Sequence, residues 1–249
     1  MADRGITYVA WDEGIKEAER SALSAKKFGL KTCLIGSAYA GDVFDKFIMT
    51  EQELKCAAQK VFLYHLSPWA ETLYMDSDTT VLGDLTFGFD MARRHGIAVT
   101  FAPACFVNFH WGLNRENLPP EVPDYNGGVI FFKRRHPKMR DFWRLLQKEL
   151  ERVDWADKRH NLVYNDQSML SAVLYKKGLN PYVLPQNWNL RPQYGLVKGY
   201  GPVKIWHSRY PIPEDFDTQQ SGRWTLVVKN IPKEGSWRAR NRDNDKNRI

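Results

Sequence analysis

The chain has 249 residues, of which 43% are hydrophobic and 26% charged, a composition typical of a folded protein long enough to bury a substantial core. The sequence also argues against a membrane-spanning protein, because no apolar run approaches the ~18 residues that a transmembrane helix needs. The first five residues lack the basic-then-apolar layout of a signal peptide. The scattered Cys33, Cys56 and Cys105 include no Cys-x-x-Cys pair, which argues against a disulfide framework or a zinc site and predicts buried thiols in a reducing, cytoplasmic compartment.

The net charge of +7 is unevenly distributed along the chain. Residues 238–249 hold five basic and two acidic residues, a net +3, and almost nothing that could be buried, which predicts a disordered basic tail. Residues 1–237 show no internal repeat and no convincing linker, so we expect one domain there. A solvated tail is the simpler interpretation, and contact of the tail with a polyanion or an anionic membrane surface is the alternative.

Strand and helix patterns alternate along the first part of the chain. A β-rich run at 6–10 is followed by apolar residues at helical spacing and then by a second strand at 31–36. Thr50 and Glu53 match a capping box for a second helix, after which an apolar strand leads to Asp76. This order predicts an α/β fold built on a parallel sheet.

The second part of the chain opens with a strand at 97–101 and a long Pro-rich stretch at 102–125. Structureless loops of this length are uncommon in compact domains, so we expect a lid or binding loop, with a merely structural excursion as the alternative. The remaining predicted elements are a strand at 129–132, a helix from 137, a helix from 165 or 166 to 178, and short strands at 182–184 and 203–206.

Two aspartates follow directly on the predicted strand 71–75. If the chain turns there, the carboxylates of Asp76 and Asp78 converge at the carboxyl end of the strand, the edge at which open α/β sheets bind ligands. Such oxygens suit Mg²⁺ or Mn²⁺, which would hold a diphosphate, and the pattern is typical of nucleotide-sugar glycosyltransferases. A turn in which Asp and Ser bond their own backbone is the alternative. The same spacing at 215–217 and 243–245 follows no apolar strand.

Further segments match the motifs of one enzyme family in order. These are Ala10-Trp11-Asp12, Lys60, Met75-Asp76-Ser77-Asp78, Tyr125-Asn126-Gly127-Gly128-Val129, Asn165-Asp166-Gln167 and Ile205-Trp206-His207. On these motifs, residues 6–210 resemble the glycogenin and lipopolysaccharide galactosyltransferase family, which are retaining enzymes. The resemblance implies a single GT-A-type, Rossmann-like domain, with a mixed, mostly parallel central sheet flanked by helices.

The resemblance also implies a role for each motif. Asp76, Asp78 and His207 would hold Mn²⁺ or Mg²⁺, with the imidazole as the third protein ligand. The two glycines of the Asn126 turn would allow positive φ and a close approach of the backbone to a ligand, and a plain turn before the strand is the alternative. The implied donor contacts are Ala10, Asp12, Lys60, Asp76, Ser77, Asn126, Gly127, Gly128 and Arg209. A solvated lysine on the predicted helix is the alternative for Lys60.

The carboxyl-terminal motif departs from the family pattern. After His207 the family has a glycine and a lysine that contacts the diphosphate, and both are absent here. Arg209 or Arg223 could replace the lysine, since guanidinium binds phosphate well, and Arg209 is favoured by proximity. Asp166 would bind hydroxyls of the transferred sugar, or only cap a helix. Gln167 would face the anomeric carbon, or be an exposed residue at a helix start.

Together these features predict a metal-dependent transfer of a sugar from a UDP-linked donor to a hydroxyl acceptor on a glycan, glycolipid or protein, with nucleic acid as a further option. The resemblance implies retention, and a front-face route is favoured because the Gln167 amide is a poor nucleophile. The alternatives are an inverting GT-A enzyme, a sugar nucleotidyltransferase and a non-enzymatic polyanion or nucleic-acid binder that uses the basic tail. A nucleotidyltransferase is disfavoured because no Gly-rich loop follows the first strand.

Overall fold

The computed structural model describes residues 3–50, 57–106, 118–119, 121–151, 166–192 and 196–227. The strands in this part of the chain are β1 (Arg4–Val9), β2 (Lys31–Gly36), β3 (Lys46–Met49), β4 (Glu71–Met75), β5 (Thr79–Val81), β6 (Ile97–Phe106), β7 (Pro123–Tyr125), β8 (Val129–Lys133), β9 (Tyr182–Leu184), β10 (Leu196–Tyr200), β11 (Ile205–His207) and β12 (Arg223–Val227). The helices are α1 (Glu13–Lys26), α2 (Leu63–Leu66), α3 (Thr86–His95), α4 (Met139–Glu151) and α5 (Asp166–Lys176), with 3₁₀ turns at Ala57–Phe62 and Gln186–Trp188.

The central sheet is mixed. Its strand order is β3-β2-β1-β4-β8-β6-β7, and β9 also pairs with β6. Strands β1 to β4 run parallel to one another, whereas β8 is antiparallel to both β4 and β6. The predicted α/β fold with a mixed, mostly parallel sheet is therefore confirmed.

Helices cover both faces of this sheet. Alternate side chains of β4 point to opposite faces, so Leu73 and Met75 pack in the apolar cluster that contains α1 and α3, whereas Tyr74 packs in the cluster that contains α4 and α5. β8 alternates in the same way, with Phe131 in the first cluster and Phe132 in the second. Burial on both faces explains why β4 and β8 have no polar stripe in sequence.

Two small sheets complete the fold. β5 pairs antiparallel with β11, and β10 pairs antiparallel with β12. The first pairing places the distant β11 beside the end of β4. Sequence patterns missed β3, β5, β10 and β12, which all lie at sheet edges, where short strands bury little and leave a weak pattern. They also missed helix α3.

Several predicted elements differ from the structure. The helix expected after Thr50 is a 3₁₀ turn followed by the short α2, and its capping-box residue Glu53 lies outside the described residues. β6 continues through Phe106 into the predicted loop, β7 occupies the loop's end, and residues 107–117 lie outside the described part. The basic tail also lies outside it.

The described helices are all too short or too polar to cross a bilayer. Cys33 is a buried free thiol, as expected, and burial raises its pKa to about 12. The side chains of Cys56 and Cys105 lie outside the described residues.

A buried carboxylate ties β4 to α3 and β8 at the end of the sheet opposite the aspartate turn. Glu71 is 1% exposed and accepts hydrogen bonds from Arg93 at 2.7 and 3.0 Å and from Lys133 at 3.1 Å. The Arg93 hydrogen bonds, opposed by burial and helped by Lys133, hold the pKa of Glu71 below its usual value.

Glu71→Gln should lower the free energy of unfolding at pH 7 by about 2 kcal/mol, because it removes charge-assisted hydrogen bonds from a buried site. Because the folded-state pKa is depressed, this stabilisation is fully present above the unfolded-state pKa of about 4.3 and is lost as the pH falls through the folded-state value. Urea unfolding of both proteins across the acid range measures the effect. A difference between them that grows on acidification would contradict this assignment.

Candidate metal centre

The end of β4 and the distant strand β11 meet through the short strand β5. Asp76, Ser77 and Asp78 form the turn from β4 into β5. In the antiparallel register of β5 with β11, His207 lies opposite Thr79. The Thr79 hydroxyl donates to the backbone carbonyl of Asp76 at 2.7 Å and closes the turn. Strand pairing thus brings together three side chains that are far apart in sequence.

Three ligand-type atoms face one another at this junction. His207 Nε2 lies 3.2 Å from Asp78 Oδ1 and 3.6 Å from Asp76 Oδ2, and one atom of each residue lies within 4.8 Å of the others. The imidazole is 2% exposed, whereas the carboxylates are 30% and 24% exposed and open to solvent. Two carboxylate oxygens and a ring nitrogen turned toward one another need a cation or a shared proton between them, so this donor set fits a divalent ion.

A buried lysine balances part of the charge on Asp76. Lys60 Nζ lies 3.0 Å from Asp76 Oδ1, donates to the Gly127 carbonyl at 2.9 Å and lies 4.9 Å from the centre of the Tyr74 ring. The Tyr74 hydroxyl donates to the same Asp76 oxygen at 2.6 Å. Burial, the largest influence, raises the pKa of Asp76, but the charge of Lys60, together with that of His207 whenever its ring is doubly protonated, outweighs burial and lowers that pKa. Asp76 is therefore ionised at neutral pH, as a metal ligand must be.

Two arginines lie near Asp78. Burial again raises the pKa of this carboxyl group. The hydrogen bond of His207, the charge of its ring when doubly protonated, and the charges of Arg209 and Arg191 hold that pKa well below its usual range. Arg209 makes a two-pronged ion pair with Glu17 of α1, at 2.8 and 3.1 Å, and this pairing raises the pKa of Arg209. The residue predicted to contact the diphosphate therefore lies beside the aspartates with its guanidinium held by Glu17.

The turn Asn126–Gly128 packs directly against the ligand-type side chains. The Gly128 carbonyl accepts a hydrogen bond from the Asp76 N–H at 2.9 Å. A Cβ atom on Gly128 would overlap the His207 ring and lie 2.6 Å from Asp76 Oδ2. Neither Gly127 nor Gly128 is among the positive-φ glycines of the described residues, so the expected use of positive φ in this turn is wrong. Close approach of the backbone is what requires glycine at position 128.

The predicted Asp-Gln pair begins helix α5. Gln167 is buried, its Nε2 donates to Asp124 Oδ2 at 2.7 Å, and its Oε1 accepts from Asn126 Nδ2 at 2.9 Å. Asp166 is the first residue of the helix, and its side chain lies outside the described part. Gln167 is therefore integrated into the wall of the site, and its role toward a sugar stays a prediction.

The predicted uracil-binding edge follows β1. Ala10 is buried and its N–H donates to the Ile35 carbonyl at 3.1 Å, whereas Asp12 is exposed. Asp12 has φ 51° and ψ −128°, a conformation that costs a non-glycine residue about 1–3 kcal/mol. This turn therefore stores backbone strain at the same edge of the sheet as the aspartates.

Asp12→Gly should raise the free energy of unfolding by about 1 kcal/mol, because glycine relieves the strain and loses part of the gain to its greater unfolded-state entropy. Asp12→Ala keeps the strain and removes the same carboxylate, so it should not be stabilised. Thermal unfolding of the two variants checks this. Equal melting temperatures would contradict the strain.

The structure adds three residues that the sequence interpretation missed. Asp124 is fully buried beside Gln167, Asn189 Oδ1 lies 2.7 Å from His207 Nδ1, and the charge of Arg191 acts on Asp78. Asn187, Asn189 and Arg191 alternate with two apolar residues, a period-2 pattern that predicts one polar face on an extended segment. Asp124 has no comparable local signal.

Neither protein-family models nor curated protein sequences match this chain. Solved structures do. The glycosyltransferase GlyE of Streptococcus pneumoniae TIGR4 matches with a TM-score of 0.56 and 19% identity, over 78% of this chain and 48% of GlyE. The galactosyltransferase LgtC, in complex with donor and acceptor sugar analogues, matches with a TM-score of 0.53 and 15% identity, over 83% of this chain and 87% of LgtC.

Mouse xyloside xylosyltransferase 1 in its apo form matches with a TM-score of 0.50 and 15% identity, over 85% of this chain and all of the mouse chain. The present chain thus spans about half the length of GlyE and most or all of the other two. At sequence identities below one fifth, these structural matches show that the fold is shared. The chain therefore has the GT-A-type fold of these glycosyltransferases.

Proposed function

We propose that this protein is a metal-dependent glycosyltransferase that moves a sugar from a UDP-linked donor to a hydroxyl of a glycan, glycolipid or protein. The observation that carries the proposal is the grouping of Asp76, Asp78 and His207 within 4.8 Å of one another. The group lies at the carboxyl end of a central strand, the edge at which α/β sheets bind ligands. The galactosyltransferase LgtC, whose fold this protein shares, has been solved in complex with donor and acceptor sugar analogues.

Asp76, Asp78 and His207 would hold Mn²⁺ or Mg²⁺, and the imidazole nitrogen favours Mn²⁺ because Mg²⁺ prefers oxygen ligands. A bound ion would supply positive charge to the diphosphate as the bond between sugar and phosphate breaks. The protein adds Lys60, which keeps Asp76 ionised through its 3.0 Å ion pair. Arg209 and Arg191 would meet the diphosphate on the side of Asp78, once Arg209 exchanges Glu17 for phosphate.

The donor would lie along the sheet edge between the turn after β1 and the turn Asn126–Gly128. We assign Asp166 to hydroxyls of the transferred sugar and Gln167 to the wall beside the anomeric carbon. An amide is a poor nucleophile, so a retaining reaction would take a front-face route, with the acceptor attacking beside the departing diphosphate. The proposed donor contacts are Ala10, Asp12, Lys60, Asp76, Ser77, Asn126, Gly127, Gly128 and Arg209.

A thermal-shift panel of nucleotide sugars, with Mn²⁺ or with EDTA, tests the proposal. A matching donor at about 100 times its Kd stabilises the protein by about 2.7 kcal/mol, which is roughly 5–10 °C for a chain of this size. We expect a UDP-sugar to give the largest shift, and only with Mn²⁺. A panel in which no nucleotide sugar raises the melting temperature, or in which EDTA leaves the shift unchanged, would contradict it.

A donor that passes this screen then allows turnover to be measured. Proton NMR of the product gives the anomeric configuration, for which we expect retention. An inverted product would replace the retaining assignment by an inverting GT-A mechanism, in which a carboxylate base acts on the acceptor.

A further inference from the structure

A chain of buried polar side chains runs from an internal carboxylate to the metal-facing histidine. His207 Nδ1 lies 2.7 Å from Asn189 Oδ1, and Asn189 Nδ2 donates to Asn126 Oδ1 at 2.7 Å. Asn126 Nδ2 donates to Gln167 Oε1 at 2.9 Å, and Gln167 Nε2 donates to Asp124 Oδ2 at 2.7 Å. All five side chains are at least nine-tenths buried.

Two groups fix the direction of this chain. The backbone N–H of Gly128 donates to Asn126 Oδ1 at 2.8 Å, so that end of the Asn126 amide must be the oxygen. The same oxygen, Asn126 Oδ1, therefore accepts a hydrogen bond from the amide nitrogen of Asn189, so that the Asn189 oxygen faces His207. At the other end, the carboxylate of Asp124 can only accept from Gln167. Every donor in the chain consequently points away from His207 toward Asp124.

The direction of these hydrogen bonds favours a proton on Nδ1 of His207. Asn189 offers the ring an acceptor, so a hydrogen bond requires a proton on Nδ1. On the other side, Asp76 and Asp78 both lie near Nε2 and attract a proton there. A proton on Nε2 would block that nitrogen as a metal ligand. The site thus holds two opposing attractions for one ring proton.

We propose that Asn189 is a positioning residue that keeps the proton of neutral His207 on Nδ1, and that Asp124 supplies the negative end that polarises the amides between them. The chain thereby leaves the Nε2 lone pair for the metal, in the way that a hydrogen-bonded partner orients a histidine ligand in other metal sites. The inference rests on the proposed metal site, and extends it to residues that do not touch the ion.

Asn189→Leu removes both the acceptor and the donor of the amide while keeping the number and branching of the side-chain heavy atoms. We expect its Mn²⁺ affinity, measured by isothermal titration calorimetry without any sugar, to fall about 10–100-fold, the usual cost of losing an outer partner of a ligand. Asn187→Leu is the matched control. Asn187 lies two residues earlier and is also buried. Its amide donates to the Pro202 carbonyl, which does not belong to the hydrogen-bonded series from His207 to Asp124, so replacing Asn187 should leave Mn²⁺ affinity unchanged. Equal affinities of the two variants would overturn the role of Asn189.

Asp124→Asn separates charge from orientation. Asparagine can still present an oxygen to Gln167 and a nitrogen to the hydroxyl of Ser171, which lies 3.0 Å from the other carboxylate oxygen. We expect Mn²⁺ affinity between those of the wild type and Asn189→Leu. An affinity equal to that of the wild type would overturn the role of the Asp124 charge.

Nitrogen NMR of the wild-type protein with ¹⁵N-labelled histidine shows which ring nitrogen carries the proton, without any variant. We expect His207 to carry its proton on Nδ1, and a proton on Nε2 would overturn the inference. The NMR result does not depend on turnover, so this inference and the proposed function can fail separately. A protein with the Nδ1–H tautomer that transfers no sugar would reject only the function.

Discussion

Replacing Asp78 by alanine is expected to abolish metal-dependent turnover. The carboxylate lies 3.2 Å from His207 Nε2 and belongs to the three-residue group, so its loss removes one of the three proposed metal ligands. Metal stabilisation of a departing diphosphate is worth several kcal/mol, which corresponds to a fall in kcat of about a thousandfold or more. Mn²⁺ affinity should fall by more than the ~10–100-fold typical of an outer partner. Calorimetry and an assay of UDP release measure the two effects.

Asp215→Ala is the matched control for this variant. Asp215 belongs to a second Asp-x-Asp pattern, is exposed, and lies in a loop that follows no strand of the central sheet. Removing it changes the charge of the protein by the same amount as Asp78→Ala, and should leave both metal affinity and turnover intact. Substantial residual activity of Asp78→Ala, with a normal metal dependence, would reject the assignment of the ligands.

Gly128→Ala is expected to damage the site from the backbone. A methyl group there would overlap the His207 ring and lie 2.6 Å from Asp76 Oδ2, and both neighbours are held by hydrogen bonds. Overpacking of this kind costs about 1–3 kcal/mol of stability. Because the strain falls on two of the proposed ligands at once, we expect Mn²⁺ binding to be lost even where the variant is folded. Circular dichroism melting and calorimetry separate the two effects.

Gly14→Ala is the control for adding a methyl group to this protein. Its Cβ would meet only the side chain of Ala10, at 3.7 Å, and position 14 lies in helix α1, where alanine is preferred to glycine by about 0.5–1 kcal/mol. We expect unchanged metal affinity and equal or higher stability. Wild-type Mn²⁺ affinity in Gly128→Ala would show that the turn does not pack against the metal ligands as described.

The central sheet and the aspartate turn could be predicted because both have local signals. β4 is a fully buried strand whose last three residues are apolar and which is followed by Asp76 and Asp78, and the alternation of strands and helices indicated an α/β fold. His207 was different. Its nearness to Asp76 depends on the pairing of β5 with β11, which no local pattern predicts, and only the family resemblance indicated it.

The rest of the site depends on tertiary contacts between distant segments. Asn189 bonds Asn126, which lies 63 positions away, and Asp124 meets Gln167 at a separation of 43. Asn189 has only the weak alternating signal noted above. Asp124, a buried carboxylate in the short strand β7, has none, since its partners are determined by the fold. The error at Gly128 has a similar origin. Sequence indicates that glycine is needed, whereas the reason, backbone dihedral or close approach, is decided by neighbours from other strands.

Anomalous diffraction from a crystal grown with Mn²⁺, recorded at the manganese absorption edge, tests the account most directly. We expect one strong peak within about 2.0–2.3 Å of oxygens of Asp76 and Asp78 and of His207 Nε2, distances typical of divalent ions bound by oxygen and nitrogen. A manganese peak bound elsewhere, or none at saturating Mn²⁺, would contradict the claim that these three side chains form the metal centre.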